Sequence, residues 1–430
     1  MPNLHTTATA ESPSRLASID RWCRQRACAR MSGLEHGRID IADADGRYQL
    51  GRGDGPRAEI RVHSTAFWRL LASGGSVGAG EAYVDGLWDS PDLVAVIRVL
   101  AANRDTLQRM EHGSARFYGW LLRALHRLNR NTLAGSRRNI SAHYDLGNEF
   151  FEGWLDRRMQ YSSGLFLRAG ESLDQAQENK LVRIAERLQL DQSDHLLEIG
   201  TGWGGLAIFM AQRTGCRVTT TTISAEQYRY ALDRVARAGL QSRITVLKQD
   251  YRELRGEYDK LVSVEMIEAV GADFLETYLA CIGQLLKPDG LAMIQAITIE
   301  DFRYESARDS VDFIKRYIFP GSCIPSVSAI TRAMARAGDL GLIELFDLGQ
   351  SYARTLELWR ERFEAGRPES GAPGLDDEFR RRWRYYLAYC EGGFRERAIS
   401  DVQLLMARPT WRGSVGGGNK IASQPAGAAA

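Results

Sequence analysis

The sequence predicts an α/β fold, a mostly parallel sheet with helices on both faces, joined to a small N-terminal α+β domain. Three observations carry this expectation. From residue 173 onward, short apolar runs alternate with helical periodicity, the rhythm of crossover connections between parallel strands. One run, His195-Leu196-Leu197-Glu198-Ile199, passes into Gly200-Thr201-Gly202-Trp203-Gly204-Gly205 and then into the helical pattern Leu206-Ala207-Ile208-Phe209-Met210. Residues 15–110 lack that rhythm and mix helical with strand-like pieces.

Taken in order, residues 1–14 read as a polar, disordered leader without the apolar core of a signal peptide. The α+β domain, 15–110, reads as helical over 17–29, strand-like over 37–41 and 58–62, and helical over 64–72. The string from Gly74 to Asp89 is glycine-rich and is open to two readings, a ligand loop or connecting turns. Residues 111–140 read as a basic linker helix. No acid lies between His112 and Tyr144, and Arg123, Arg127 and Arg130 share one helical face beside Leu121, Leu125 and Leu128. With Phe117, Tyr118 and Trp120 at its start, it suits an anionic membrane surface or an interdomain helix with a solvated arginine face.

Residues 141–412 form the main domain. Its aromatic-dense opening, through Phe166, is a lid over an apolar substrate or packing onto the core. Helices are expected at 173–188, 205–213, 225–238 and 273–286. Strands are expected at 196–199, 217–222, 244–248, 260–264 and 291–299, with Lys287-Pro288-Asp289-Gly290 as a stop and turn before the last. A mostly helical insert over 306–363, a polar loop over 366–377 and a helix over 378–397 follow; the Gly/Ala tail, 413–430, reads as disordered.

The 430 residues suffice for two or three domains, and the 44% apolar fraction is that of a soluble globular chain. No run reaches the ~20 apolar residues of a membrane-spanning helix. Cys23, Cys28, Cys216, Cys281, Cys323 and Cys390 are scattered without C-x-x-C spacing, which argues against a metal site or disulfide framework and for a reducing cytosol. A net charge of +2 names no partner.

Gly200, Gly202 and Gly205 fit G-x-G-x-x-G, but a dinucleotide site wants an acid about twenty residues on, at the end of the next strand. That strand, 217–222, ends in Thr222, and the acid here precedes the glycines, at Glu198. The arrangement resembles the first motif of S-adenosylmethionine-dependent methyltransferases, whose class I domain is Rossmann-like. A turn that binds nothing is the alternative; three glycines in five residues weaken packing for no other gain.

Five motifs in order make a closer resemblance: 139–166, Glu198–Gly205, Thr222-Ile223-Ser224-Ala225-Glu226-Gln227, Glu265-Met266-Ile267-Glu268-Ala269-Val270-Gly271, and Tyr317-Ile318-Phe319-Pro320-Gly321 through Pro325-Ser326. Together, over roughly 60–408, the chain resembles the cyclopropane-fatty-acyl-phospholipid synthases. The resemblance implies transfer of a methyl(ene) group from S-adenosylmethionine to the cis double bond of an unsaturated phospholipid acyl chain. A carbocation forms, a bicarbonate ion takes a methyl proton, and a cyclopropane closes. It also implies a cytoplasmic homodimer, peripheral to the inner face of the membrane, with a phospholipid surface as partner. No nucleic acid is expected, since the Asn/Asp-Pro-Pro-aromatic motif of base-modifying enzymes is missing after the fourth strand.

By the same resemblance, Glu268 and Tyr352 hold the bicarbonate, and Cys390 matches a cysteine often given as an active-site residue, although a cysteine on an apolar helix face is more simply packing. Gly200, Gly202 and Gly204, with Glu198, face the methionine part of the cofactor. Thr222 and Gln227 match a second cofactor stretch, Asp250 lies on the adenine side, and Tyr161 and Ser162 close over the cofactor. The chain departs from the family at Ser163, where many members carry cysteine, at Gln295, where they carry histidine, and at Ala269 after Glu268, where the family has Glu-His. Serine can offer its backbone, and glutamine can donate a hydrogen bond but cannot carry charge. These changes leave room for a sister reaction giving a methylated or methylene-bearing chain without ring closure.

Overall fold

The computed structural model describes residues 13–104, 147–366 and 376–414. The expected basic helix at 111–140, the aromatic stretch up to residue 146, and most of the leader, the polar loop and the tail lie outside the described residues.

The N-terminal domain runs α1 (Pro13–Met31), β1 (Arg38–Asp43), β2 (Gly46–Leu50), β3 (Arg57–Val62), α2 (Ala66–Val84), β4 (Trp88–Asp89) and α3 (Leu93–Ala102). Its sheet has the order β2-β1-β3-β4. Ile39 and Ile41 enter the core while Asp40 between them faces solvent, the period-two alternation of a half-buried strand. The glycine string is neither a loop nor a set of turns along most of its length, because Gly74–Gly80 lies within α2. Packing overrides propensity there. A Cβ on Gly78 would lie 2.0 Å from Leu70 O, and one on Gly80 would lie 2.5 Å from the Phe313 ring. Gly75 breaks the helix with φ 56°, a left-handed kink that glycine adopts without steric cost.

The main domain continues with α4 (Asn148–Glu152), α5 (Leu173–Arg187), β5 (His195–Ile199), α6 (Gly205–Thr214), β6 (Arg217–Thr222), α7 (Ala225–Arg237), β7 (Ile244–Lys248), β8 (Tyr258–Val264), α8 (Leu275–Leu285) and β9 (Leu286–Ile299). After α9 (Tyr304–Arg308), α10 (Phe313–Tyr317) and α11 (Val327–Ala337) come β10 (Gly341–Asp347), α12 (Gly349–Ala365), α13 (Asp377–Arg395) and β11 (Ile399–Ala407). The sheet order is β10-β11-β9-β8-β5-β6-β7, parallel from β7 to β9 and antiparallel where β11 inserts beside β9.

Two corrections follow. The segment after the fifth strand is not simply helical, because β10 and β11 complete the sheet. β10 (Gly-Leu-Ile-Glu-Leu-Phe-Asp) is rich in residues that also favour helices, and the run Val402–Ala407 of β11 is buried on both faces, so it shows no alternation. The Lys287-Pro288-Asp289-Gly290 stop falls inside β9, which begins directly after α8.

The two domains share one hydrophobic cluster, in which Trp68, Tyr83 and Trp88 meet Phe313, Trp383 and Tyr385. Arg381 of α13 donates to Tyr83 O (2.6 Å) and Trp88 O (3.0 Å) and pairs with Asp89 (2.8 Å). Of the aromatics that open the main domain, Phe151 and Trp154 are packing, fully buried against Trp203, Trp359 and Trp383. At Gly392, α13 touches α3 so closely that a Cβ would lie 2.6 Å from Ile97 Cγ2. Gly392→Ala should cost about 1–3 kcal/mol by overpacking. Adding Ile97→Ala should recover part of that loss; thermal denaturation of the single and double variants measures the coupling, and strict additivity would show that the helices do not meet as described.

Candidate active site

β5 is buried because it is central, with Leu196 and Leu197 fully covered between β6 and β8. At its carboxyl end the chain turns through Gly200 (φ 105°) and Gly202 (φ 50°), which leave backbone open to a ligand; a Cβ on Gly202 would meet nothing within 4 Å. Gly204 instead caps α6 in a left-handed conformation and faces Ala231. The threonines of β6 account for their own burial. Thr220 Oγ1 donates to Glu198 Oε2 (2.6 Å), Thr221 Oγ1 to Gln249 O (2.6 Å), and Thr222 Oγ1 to Gln227 Oε1 (2.8 Å). Asp250 is held by its own neighbour, since Arg252 grips both carboxylate oxygens at 2.8 and 2.7 Å.

Behind this turn lies a buried polar cluster centred on Glu265, the residue that follows β8. Ser163 N–H and Gln295 Nε2 donate to its Oε1, each at 2.8 Å, and the Tyr352 hydroxyl donates to its Oε2 at 2.6 Å. Gln295 Nε2 also donates to Asp401 Oδ2 (2.8 Å), and its Oε1 accepts from Gln403 Nε2 (3.0 Å), its register partner on β11. Gln403 Oε1 in turn accepts from Arg183 Nε (2.9 Å). Glu268 Oε1 accepts from Ile297 N–H (2.5 Å), while its Oε2 is buried with no partner. The cation beside these acids is Lys180, fully buried on α5 and donating to Ser162 Oγ (2.6 Å) and Gln160 Oε1 (3.2 Å).

Burial and the neighbouring Glu265 push Glu268 up to about 8; burial alone pushes Glu198 up to about 8 against its Thr220 hydrogen bond and Lys180. Burial also raises Glu265, opposed by Tyr352, Ser163, Lys180 and Gln295. Asp401 rises by burial and by Glu265 and Glu268. Burial lowers Lys180 to about 8 although the surrounding carboxylates hold its proton.

A cavity of about 1090 Å³ gathers most of the residues expected from sequence: Tyr161, Ser162, Glu198, Gly200, Gly202, Thr222, Gln227, Asp250, Glu268, Tyr352 and Cys390 line it. Gly204, Ser163 and Gln295 do not. Ser163 and Gln295 reach the site through Glu265, which does line the cavity, and Ser163 uses its backbone while its hydroxyl donates to Gly164 O. The thiol of Cys390 is pushed far up by burial and by Asp312, so it carries no thiolate. Sequence reasoning passed over Glu265, Lys180, Asp401 and Gln403. Glu265 carried a signal, an acid at the end of a strand three residues before Glu268; the others become neighbours only through the sheet and α5.

A separate bicarbonate does not fit these residues. Three groups expected to serve it, Ser163, Gln295 and Tyr352, are already bonded to the Glu265 carboxylate, which occupies the donors that a further anion would need.

The shifts set a pH dependence. The folded state favours protonated Glu268 and Glu198, so their stability is full below the ordinary 4.5 and is lost as pH rises to about 8. Lys180 acts in the opposite sense above that range, gaining stability from about 8 towards 10.5. Glu268→Gln keeps an acceptor for Ile297 N–H and removes one titration. Its melting temperature should fall less than wild type between pH 4.5 and 8; superimposable profiles would show that Glu268 is not held protonated.

The profile of the family described as "Mycolic acid cyclopropane synthetase" matches residues 132–404. The chain is 35% identical to the "Tuberculostearic acid methyltransferase UfaA1" of Mycobacterium tuberculosis over 94% of its own length and 99% of that protein. It is 36% identical to the "Cyclopropane-fatty-acyl-phospholipid synthase" of Escherichia coli K12, over 82% of this chain and 88% of that one. Among solved structures, the cyclopropane synthase MmaA2 of Mycobacterium tuberculosis superposes with a TM-score of 0.59 at 27% identity, over 63% of this chain and 98% of that one. The mycolic acid cyclopropane synthase CmaA1, complexed with SAH and CTAB, superposes equally well at 26% identity, over 63% and 98%. With its glycine turn at the end of β5, its antiparallel β11 and these relatives, the chain belongs to the mycolic acid cyclopropane synthetase family and is an S-adenosylmethionine-dependent methyltransferase.

Proposed function

We propose that this enzyme transfers the methyl of S-adenosylmethionine to the cis double bond of an unsaturated phospholipid acyl chain and that the resulting cation closes to a cyclopropane. The observation that carries this reading is the reach of the cavity. It runs from the glycine turn past Glu265 and Glu268, then between aromatic and aliphatic side chains, to α1, α2 and α3 of the N-terminal domain. At about 1090 Å³ it stands at the upper end of ligand-pocket volumes, which run from roughly 300 to 1000 Å³. That leaves room for a cofactor and an alkyl chain together. The kinked glycine stretch of α2, at Gly74 and Gly75, forms part of its wall.

Within this reading, Gly200 and Gly202 bring backbone against the methionine part of the cofactor, and Gln227, held by Thr222, lines the cofactor's part of the cavity. The cofactor supplies an electrophilic methyl. An alkene is a weak nucleophile, so the protein's task is alignment and exclusion of water rather than covalent catalysis. Tyr161, Trp203, Tyr352 and Tyr386, all in the cavity wall, supply aromatic rings that stabilise positive charge on sulfur and then on carbon. A lipid surface as the source of substrate is supported by α1, where Trp22 (56% exposed) and Ile19 (53%) project beside Arg26 and Arg30 of the cavity wall. Peripheral attachment at the inner membrane face is part of the same proposal; among the described residues no helix is long and apolar enough to cross a membrane.

A second reading, methylation without ring closure, is favoured by one observation: a match over nearly the full length is to a protein named for methyl transfer, UfaA1. Both readings share the cation and differ in which proton leaves. Mass spectrometry of cis-monounsaturated phospholipid vesicles incubated with the enzyme and labelled S-adenosylmethionine separates them. A gain of ~14 mass units plus the retained label that resists hydrogenation is the expected cyclopropane. The same gain with a reducible double bond would establish the second reading, and unlabelled lipid with confirmed cofactor binding would overturn both.

A further inference from the structure

We propose that Glu265 is the resident anion of this site: its carboxylate takes the place of a bound bicarbonate and accepts the proton that the substrate cation loses. The second half of this statement rests on the alkene-methylation reading above; the first does not.

Three independent features support it. The first is direction. Arg183 can only donate, so Gln403 presents its Oε1 to the guanidinium and its Nε2 to Gln295. Gln295 must then present Oε1 to Gln403 and Nε2 to Glu265 and Asp401. Ser163 N–H is likewise a donor only. The pocket around Glu265 is therefore built for an anion, and Glu265 already fills it.

The second feature is competition. Glu265 receives three hydrogen bonds, Glu268 one from the backbone and Asp401 one shared donor from Gln295. Among neighbouring acids the negative charge settles where donors are most numerous, and the others retain their protons. Glu265 is then ionised and Glu268 is the neutral partner.

The third is backbone conformation. Glu265 has φ 48°, in the left-handed region where glycine is the natural occupant, and its N–H is anchored to Gln295 O at 2.8 Å. A carboxylate is held at a position whose backbone favours a residue without one, and the carboxylate is what the surrounding donors require.

The step balances. As the alkene π electrons form the new carbon–carbon bond to the methyl, the sulfonium leaves as neutral thioether and a carbocation remains. A C–H bond of the cation then breaks, its proton goes to a Glu265 oxygen, and its electron pair forms the ring bond, or a new double bond in the sister reaction. The carboxylic acid so formed returns its proton to solvent when product leaves.

The test uses the full chain in carbonate-free buffer, labelled S-adenosylmethionine and cis-monounsaturated phospholipid vesicles. Wild type should methylate at a rate that changes less than about twofold on adding bicarbonate, and ¹³C-bicarbonate should show no protein-dependent line broadening. Glu265→Gln should lower kcat by ~100-fold or more, the scale of a lost general base, while S-adenosylmethionine affinity changes only a few-fold. Glu265→Gly, which suits the φ of 48°, should be comparably slow alone, should regain at least about tenfold on adding bicarbonate, and should broaden the ¹³C line. Circular dichroism confirms that both variants fold. Bicarbonate broadening or bicarbonate-dependent turnover in wild type would overturn the proposal, as would an active Glu265→Gln. If wild type leaves these lipids unmodified, the functional reading fails, yet the ¹³C comparison of wild type with Glu265→Gly still decides which anion the pocket holds.

Discussion

The direction of one buried hydrogen-bond chain governs the chemistry of this site. It begins at Arg183 on α5, crosses β11 at Gln403 and β9 at Gln295, and ends on the carboxyl groups of Glu265 and Asp401. Every amide orientation along it follows from the guanidinium at its head, which has no acceptor to offer. The chain exists because β11 runs antiparallel between β9 and β10, which sets Gln403 opposite Gln295. The members of such a buried chain polarise one another. Arg183 is fixed from its other side by an ion pair with Glu344 and by the Phe346 ring 3.8 Å away, both on β10. The edge strand therefore acts on the active centre without touching it.

Charge balance is the second consequence. Glu198, Glu265, Asp401 and Asp156 act on Lys180, Glu268 lies against Glu265, and one ammonium cannot neutralise all of these carboxylates in a medium of low polarity. Burial resolves the conflict by keeping protons on the acids with fewest donors. Glu268, with one oxygen bonded to Ile297 N–H and the other bare, is such an acid, and it faces the cavity. A neutral carboxyl there can donate a hydrogen bond to a ligand.

Much of this was legible in the sequence. The β5 turn, β6 and β7 stand where the apolar runs and glycines place them, because local periodicity and turn chemistry dominate in a sheet buried on both faces. Glu268 and Tyr352 were reached through their motifs and do line the cavity. Lys180 and Asp401 were not, since a lysine on a helix and an aspartate in a strand reveal nothing until α5 and β11 bring them within reach of Glu265. Ser163 and Gln295 were singled out as departures from a pattern, but as two separate weakenings of an ion site. They act together with Glu265, which stands three residues before Glu268 and supplies the acceptor that both of them serve. Compensation of this kind is hidden in one dimension, because its members are 102 and 30 residues apart.

A tethered carboxylate has an energetic logic that a diffusible ion lacks. Binding a small anion in a buried site requires stripping its hydration and fixing its position at each turnover, and its occupancy depends on its concentration. Glu265 meets those costs once, during folding, with a left-handed backbone worth about 1–2 kcal/mol against it and three hydrogen bonds in return. The base is then present at full occupancy and aligned before substrate enters, the condition under which intramolecular groups reach their large effective concentrations. Freedom is what it gives up. A mobile ion can follow the substrate cation, whereas a side chain anchored at the end of β8 reaches only the protons that the acyl chain presents to it. Ring closure and methyl branching then become questions of how the cavity wall, from the aromatic residues at Tyr161 and Tyr352 to the kink at Gly75, sets the acyl chain against one fixed oxygen pair.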